Sequence, residues 1–191
     1  MTSSRHHPKL VRMKPYFLIL ATLMMMGCAA ALVTESNDPQ TKIDQATLLF
    51  NEQGRPLAAI KLLEQAILLA QKQSRKLLEA DAEFYLGEIY KNPGPSDQRI
   101  ADSKKAIEHY QRSIALYDEL KFFKRSAFTH WNSSAAYALS GNKKAQCEAL
   151  RSAEKSHERL GGAAGDLLTL ELSDGKLLAS IRSLLTQNKC R

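Results

Sequence analysis

Apolar residues recur every three or four positions from about residue 41 almost to the C-terminus. That spacing puts them along one face of an α-helix. It predicts helices over 41–53, 56–74, 76–91, 99–120, 122–140, 143–160 and 166–187. The interruptions are Gly54-Arg55-Pro56, the run Asn92 to Asp97, Gly141-Asn142 and Gly161-Gly162-Ala163-Ala164-Gly165, all built from turn-forming residues. No stretch carries a convincing strand pattern, so the expected fold class is all-α. The Leu-rich stretch 62–69 is apolar on nearly every side and is expected to lie in the core.

Residues 1–40 are patterned differently. Arg5, Lys9, Arg12 and Lys14 precede an apolar run of eleven residues, Tyr16 to Met26. Such a run suits the hydrophobic region of an export signal and is too short to cross a bilayer, which takes about 20 helical residues. It ends at Met25-Met26-Gly27-Cys28, which resembles the lipobox of bacterial lipoproteins, where a small residue precedes the cysteine that is lipidated and becomes the mature N-terminus. Met25 stands where Leu is usual in that box. The resemblance implies a signal peptide over 1–27, acyl chains (palmitate among them) on Cys28 and a lipidated tether over 28–40. An ordinary signal peptide with a coincidental cysteine is the alternative. Ala29 after the cysteine implies sorting to the outer membrane of a Gram-negative cell, facing the periplasm. Met13-Lys14-Pro15 is itself patterned as a leader start, so Met1 and Met13 both stand as start positions.

Within the helical body, Leu86-Gly87 is followed by Tyr90, and Ala106 by Tyr110 and Ser113. This arrangement resembles the tetratricopeptide repeat, in which small residues let paired helices approach and large ones fill the gaps between them. Weaker copies read Ile43, Ala46 and Phe50 with Ala59, Leu63 and Ala66, then Tyr137 with Ala145, Ala149 and Ser152. Thr47 replaces the expected glycine in the first copy, and Ser133-Ser134 replace Leu-Gly in the third. The resemblance covers roughly 41–158. It implies a short right-handed solenoid of about three antiparallel hairpins in a repeat domain over 41–160, followed by a linker and C-terminal capping helix over 161–191.

Composition and charge narrow the function. The 191 residues are 44% hydrophobic and 25% charged, ordinary for one globular domain or a small repeat array. The formal charge of +7 at first suggests nucleic acid. The four basic residues of 1–27 face no acidic ones, however, and residues 28–191 hold 23 Lys and Arg against 20 Asp and Glu. A diffuse net +3 is no nucleic-acid footprint, and none is expected as a partner. With Cys28 lipidated, Cys147 and Cys190 remain as an even pair in an oxidising compartment. Either they bond, tying the tail to an inner helix, or they are unrelated thiols with Cys147 buried as a small hydrophobe.

No catalytic pattern stands out, and the chain is not expected to be an enzyme. Gly161 to Gly165 lacks the Lys-Ser/Thr of a phosphate loop, and Ser173-Asp174-Gly175-Lys176 has too few carboxylates for a calcium loop. His109, His130 and His157 lie too far apart for a metal motif, and no cofactor is expected. The repeat resemblance places Asp81, Phe84, Glu88 and Lys91 on the concave face, with His130 and Trp131 as their equivalents one hairpin on. Asp44 and Phe84 occupy places where the family's carboxylate clamp has Lys and Asn, so a free peptide C-terminus is not the expected ligand. Phe128, Trp131 and Ala135 share one helical face and read as core before hot spot. The expected function is an outer-membrane-anchored adaptor or assembly factor that takes a peptide or helix of an envelope protein into its groove. A permanent structural subunit of an envelope complex is the alternative, and a small-ligand-binding lipoprotein a third.

Overall fold

The computed structural model describes residues 36–92, 94, 101–159 and 174–190. The segment expected to be a leader, Cys28, most of the expected tether, most of the residues from 93 to 100 and the glycine-rich stretch at 161–165 lie outside the described residues. Seven helices are present among those described: α1 Pro39–Asn51, α2 Pro56–Lys72, α3 Lys76–Lys91, α4 Ser103–Glu119, α5 Phe123–Leu139, α6 Lys143–Glu158 and α7 Asp174–Gln187.

Their starts follow local capping chemistry. Asp38 accepts the Thr41 amide at 2.9 Å with Pro39 in the first helical turn. A carboxylate there satisfies an orphan amide, and proline loses nothing because its N–H would be unpaired anyway. Helix α1 therefore begins two residues earlier than the apolar spacing predicts. Asp102 caps α4 through the Lys104 and Lys105 amides, both at 3.0 Å. That cap fixes the start at Ser103 rather than 99. Asn142 does the same for α6 through Ala145. Helix α7 is described only from Asp174, so its expected first turns, 166–173, lie outside the described residues.

Several helices end in the same way. A residue with positive φ follows the last turn, and the next amide reaches back five residues. Arg75 donates to the Ala70 carbonyl, Phe122 to Tyr117 and Asn142 to Tyr137, at 2.8, 2.8 and 2.9 Å. These are Schellman-type caps. Glycine serves at Gly141, but Ser74 and Lys121 take φ 55° and 61° despite their side chains. A left-handed residue other than glycine costs about 1 kcal/mol or more. It is held here by the two helices on either side.

Each helix packs on the next in sequence as far as α7 on α6, and α1 also touches α3 as α3 touches α5. Helices α1, α3 and α5 thus form a row of direct neighbours. Close approach comes from small buried residues, among them Ala59, Ala66, Ala80, Ala82, Ala106, Ser113, Ala127 and Ala136. The first core section joins Ile43, Leu49, Leu63, Leu78, Leu86 and Ile89. A middle section holds Ala106, Tyr110 and Ala136 with Phe84 and Tyr90 against them. The last joins Ala153, Leu177 and Ile181 to Phe128, Trp131 and Leu185.

Gly87 sets the tightest spacing. A Cβ at that position would sit 2.6 Å from ring carbons of Tyr110, a side chain with no exposure. Alanine would add about 1 kcal/mol of helix propensity, but overpacking against an immobile ring costs about 1–3 kcal/mol. Gly87→Ala should therefore lower stability by about 1–2 kcal/mol net. Urea unfolding followed by circular dichroism would measure it.

Candidate functional site

The polar residues of α3 point into the helix array and find partners there. Asp81 accepts from the Tyr117 hydroxyl at 2.5 Å and from the Arg125 guanidinium. Its side chain and that of Arg125 are 17% and 11% exposed, so the pair is largely buried. It links α3 to α4 and α5 in one cluster, and Arg125 also lies over the rings of Tyr117 and Phe122. Burial and the adjacent Asp81 charge hold the Tyr117 hydroxyl well above its ordinary pKa, so it stays a neutral donor.

A second cluster lies one to two turns further along α3. Glu88 accepts the Tyr110 hydroxyl at 2.5 Å and the Lys91 ammonium at 2.8 and 2.9 Å. Lys91 in turn donates to the Asn132 side chain at 2.8 Å. Tyr110 is likewise kept protonated, first by burial and then by the Glu88 charge. Phe84 lies between these clusters with its ring 5.4–6.0 Å from those of Tyr85, Tyr110 and Phe128. Asp81, Phe84, Glu88 and Lys91 thus share a helix, as the repeat pattern expects, but their polar atoms and ring faces are engaged within the protein.

The open surface lies further on. A cleft of about 790 Å³ runs between the C-terminal end of α3, the second half of α5, the start of α6 and α7. Lys91, Trp131, Ala135, Leu139, Gln146 and Leu184 are among its walls. Leu139 is 67% exposed. The Trp131 ring packs on Phe128 at 5.6 Å and against the apolar side of α7. Its Nε1 is enclosed and donates to no atom among the described residues.

His130 does not share that cleft. It lines a separate one of about 420 Å³ on the side of α4 and α6, with Asp118, Ser133, Tyr137 and Glu148. Consecutive helical residues are about 100° apart, and here that step places His130 on the α4/α6 side and Trp131 on the α3/α7 side. A third cleft, about 710 Å³ between α2, α3 and α4, has the buried Glu83 in its wall with His109 and Arg112. The Nδ1 of His109 lies 2.6 Å from Glu83 Oε2, and Tyr90 stacks on the imidazole. Glu83, Arg125 and Asn132 carry no signal in the sequence, because their partners lie 26 to 44 residues away.

Cys147, near the start of α6, is bonded to Cys190, with Cα atoms 5.3 Å apart. Among the described residues no group of three His, Cys, Asp or Glu side chains is placed to hold a metal ion, and no helix is long and apolar enough to cross a membrane. Comparison with family models, with curated proteins and with solved structures finds no match.

His130 gives this region a pH dependence. Burial pushes its pKa below the ordinary 6.5, and the nearby Asp118 offsets that only in part. The unfolded chain therefore binds a proton at a higher pH than the folded one. The folded state should lose stability as pH falls from about 6.5 through the folded-state value. His130→Gln should flatten the stability profile between about pH 7 and pH 5. Urea midpoints across that range would measure the difference, and a wild-type profile already flat there would contradict the assignment.

Proposed function

We propose that this chain is a lipid-anchored periplasmic adaptor whose cleft between α3, α5 and α7 receives a peptide or helix of another envelope protein. We read α1/α2, α3/α4 and α5/α6 as three tetratricopeptide-like hairpins and α7 as their cap. The close Gly87–Tyr110 approach and the row formed by α1, α3 and α5 support that reading. The cleft itself carries the functional proposal. It combines an exposed leucine, an indole and alanines with amide groups of Asn132 and Gln146. Apolar anchors beside polar side-chain groups suit a peptide with apolar side chains, although the Asn132 amide already accepts from Lys91 and donates to the Phe128 carbonyl. Lys91 adds a cation at one end, although it is shared with Glu88 and Asn132.

Cys28 would hold the adaptor at the outer membrane. Two or more acyl chains give stable anchoring, each buried CH₂ contributing about 0.8 kcal/mol. A subunit fixed within a larger complex is the second reading. It is favoured by Leu57 and Leu68, which are 63% and 67% exposed away from the cleft. No catalytic role is assigned to any residue.

Photo-crosslinking side chains at Leu139 and, separately, at Leu68 distinguish the two. The adaptor reading predicts that one envelope partner is captured from Leu139, that Ala135→Arg abolishes this capture, and that Leu68 captures little. It also predicts that Cys28→Ala releases the protein from the membrane fraction. Capture chiefly from Leu68, unaffected by Ala135→Arg, would favour the fixed subunit.

A further inference from the structure

We infer that the Cys147–Cys190 disulfide is a redox-operated strap that keeps α7 docked, and that a dithiol reductant releases α7 while the other six helices stay folded. The helix has few other fastenings. It packs chiefly on α6. Its buried contacts come down to Leu177 and Ile181, with Leu185 partly buried beside Phe128 and Trp131. Among the described residues its polar ties include a hydrogen-bonded ion pair from Arg182 to Glu154 at 2.7 Å, with Glu158 4.0 Å from the same guanidinium, and a bond from Lys143 to Asn188 at 2.6 Å. Both lie at the exposed surface, Arg182 being 57% exposed, where such pairs contribute little. Residues 159–173 separate the described parts of α6 and α7 along the chain.

The disulfide compensates for this. It fixes the residue three places beyond the end of α7 to the first turn and a half of α6. With the bond in place, both ends of α7 are tethered and docking is a local event. Without it, the C-terminal end of α7 has no covalent link to α6 except the backbone itself. The sulfurs differ in access. Cys147 is buried at 8% exposure, whereas Cys190 is partly exposed. A thiolate of the reductant therefore attacks the Cys190 sulfur, and the Cys147 thiolate leaves. The second thiol of the reductant then attacks the mixed disulfide. Two electrons pass to the protein, which ends with two thiols, and the dithiol ends as its own disulfide.

Release of α7 would remove Leu184 from the wall of the cleft and uncover Trp131, the one tryptophan in the chain. The strap does not depend on any partner occupying the cleft, so its test separates it from the adaptor proposal.

The experiment follows Trp131 emission and amide hydrogen exchange on the oxidised protein, on the same protein with excess dithiothreitol, and on Cys147→Ser/Cys190→Ser. The expected result is a shift of emission to longer wavelength and exchange at least about tenfold faster in α7 in the reduced and double-serine forms. Amides of α3 around Leu86 and Ile89 should keep their protection, and reoxidation should restore the original emission. Unchanged emission and α7 exchange after reduction would overturn the proposal. So would loss of protection in α3 and α7 together, because the bond would then staple the whole fold rather than one helix.

Discussion

Tyr110 stands where three helices meet, and its position follows from the absence of one carbon atom. Gly87 has no Cβ, so the ring of Tyr110 can lie against the backbone of α3. That approach brings the hydroxyl within 2.5 Å of Glu88. Glu88 holds Lys91, and Lys91 reaches Asn132 on α5. One steric allowance thus becomes a chain of bonds from α4 through α3 to α5. A partly buried carboxylate such as Glu88 is stabilised when such partners replace the water it loses. Here it accepts a neutral hydroxyl and an ammonium together.

The same logic explains why α3 presents so little to solvent on its polar side. Asp81 with Tyr117 and Arg125, and Glu88 with Tyr110 and Lys91, are alternating tyrosine–carboxylate–cation clusters along one helix. Removing the carboxylate or the cation of either would leave a largely buried charge without its counter-ion, the costly case. These residues set the spacing and register of α3, α4 and α5. The cleft of about 790 Å³ lies toward the end of the array, beside α5 and α7.

The helices were legible in the sequence because burial repeats at 3.6 residues and because turns concentrate Gly, Pro and Asn. Boundaries were legible only where a cap was recognised. Asp38-Pro39 resembled the end of a tether, and Asp102 lies inside a segment whose spacing continues the helix pattern. Ser74 and Lys121 carry no turn signature, since their left-handed conformation is imposed by the packing of the flanking helices. The candidate site was less legible still. Helical periodicity assigns a residue to a face but does not say what the neighbouring helix places opposite it. Asp81 and Glu88 therefore looked like groove residues, while Arg125 and Tyr117, which consume one of them, went unremarked. His130 and Trp131, adjacent in sequence, diverged into separate clefts.

The central claim is that Tyr110 and Glu88 act as one unit joining the helices. A double-mutant cycle tests it most directly, with urea unfolding of the wild type, Tyr110→Phe, Glu88→Gln and the double variant. The account predicts a coupling of about 1 kcal/mol or more between the two sites. Additive effects, with a coupling near zero, would contradict it.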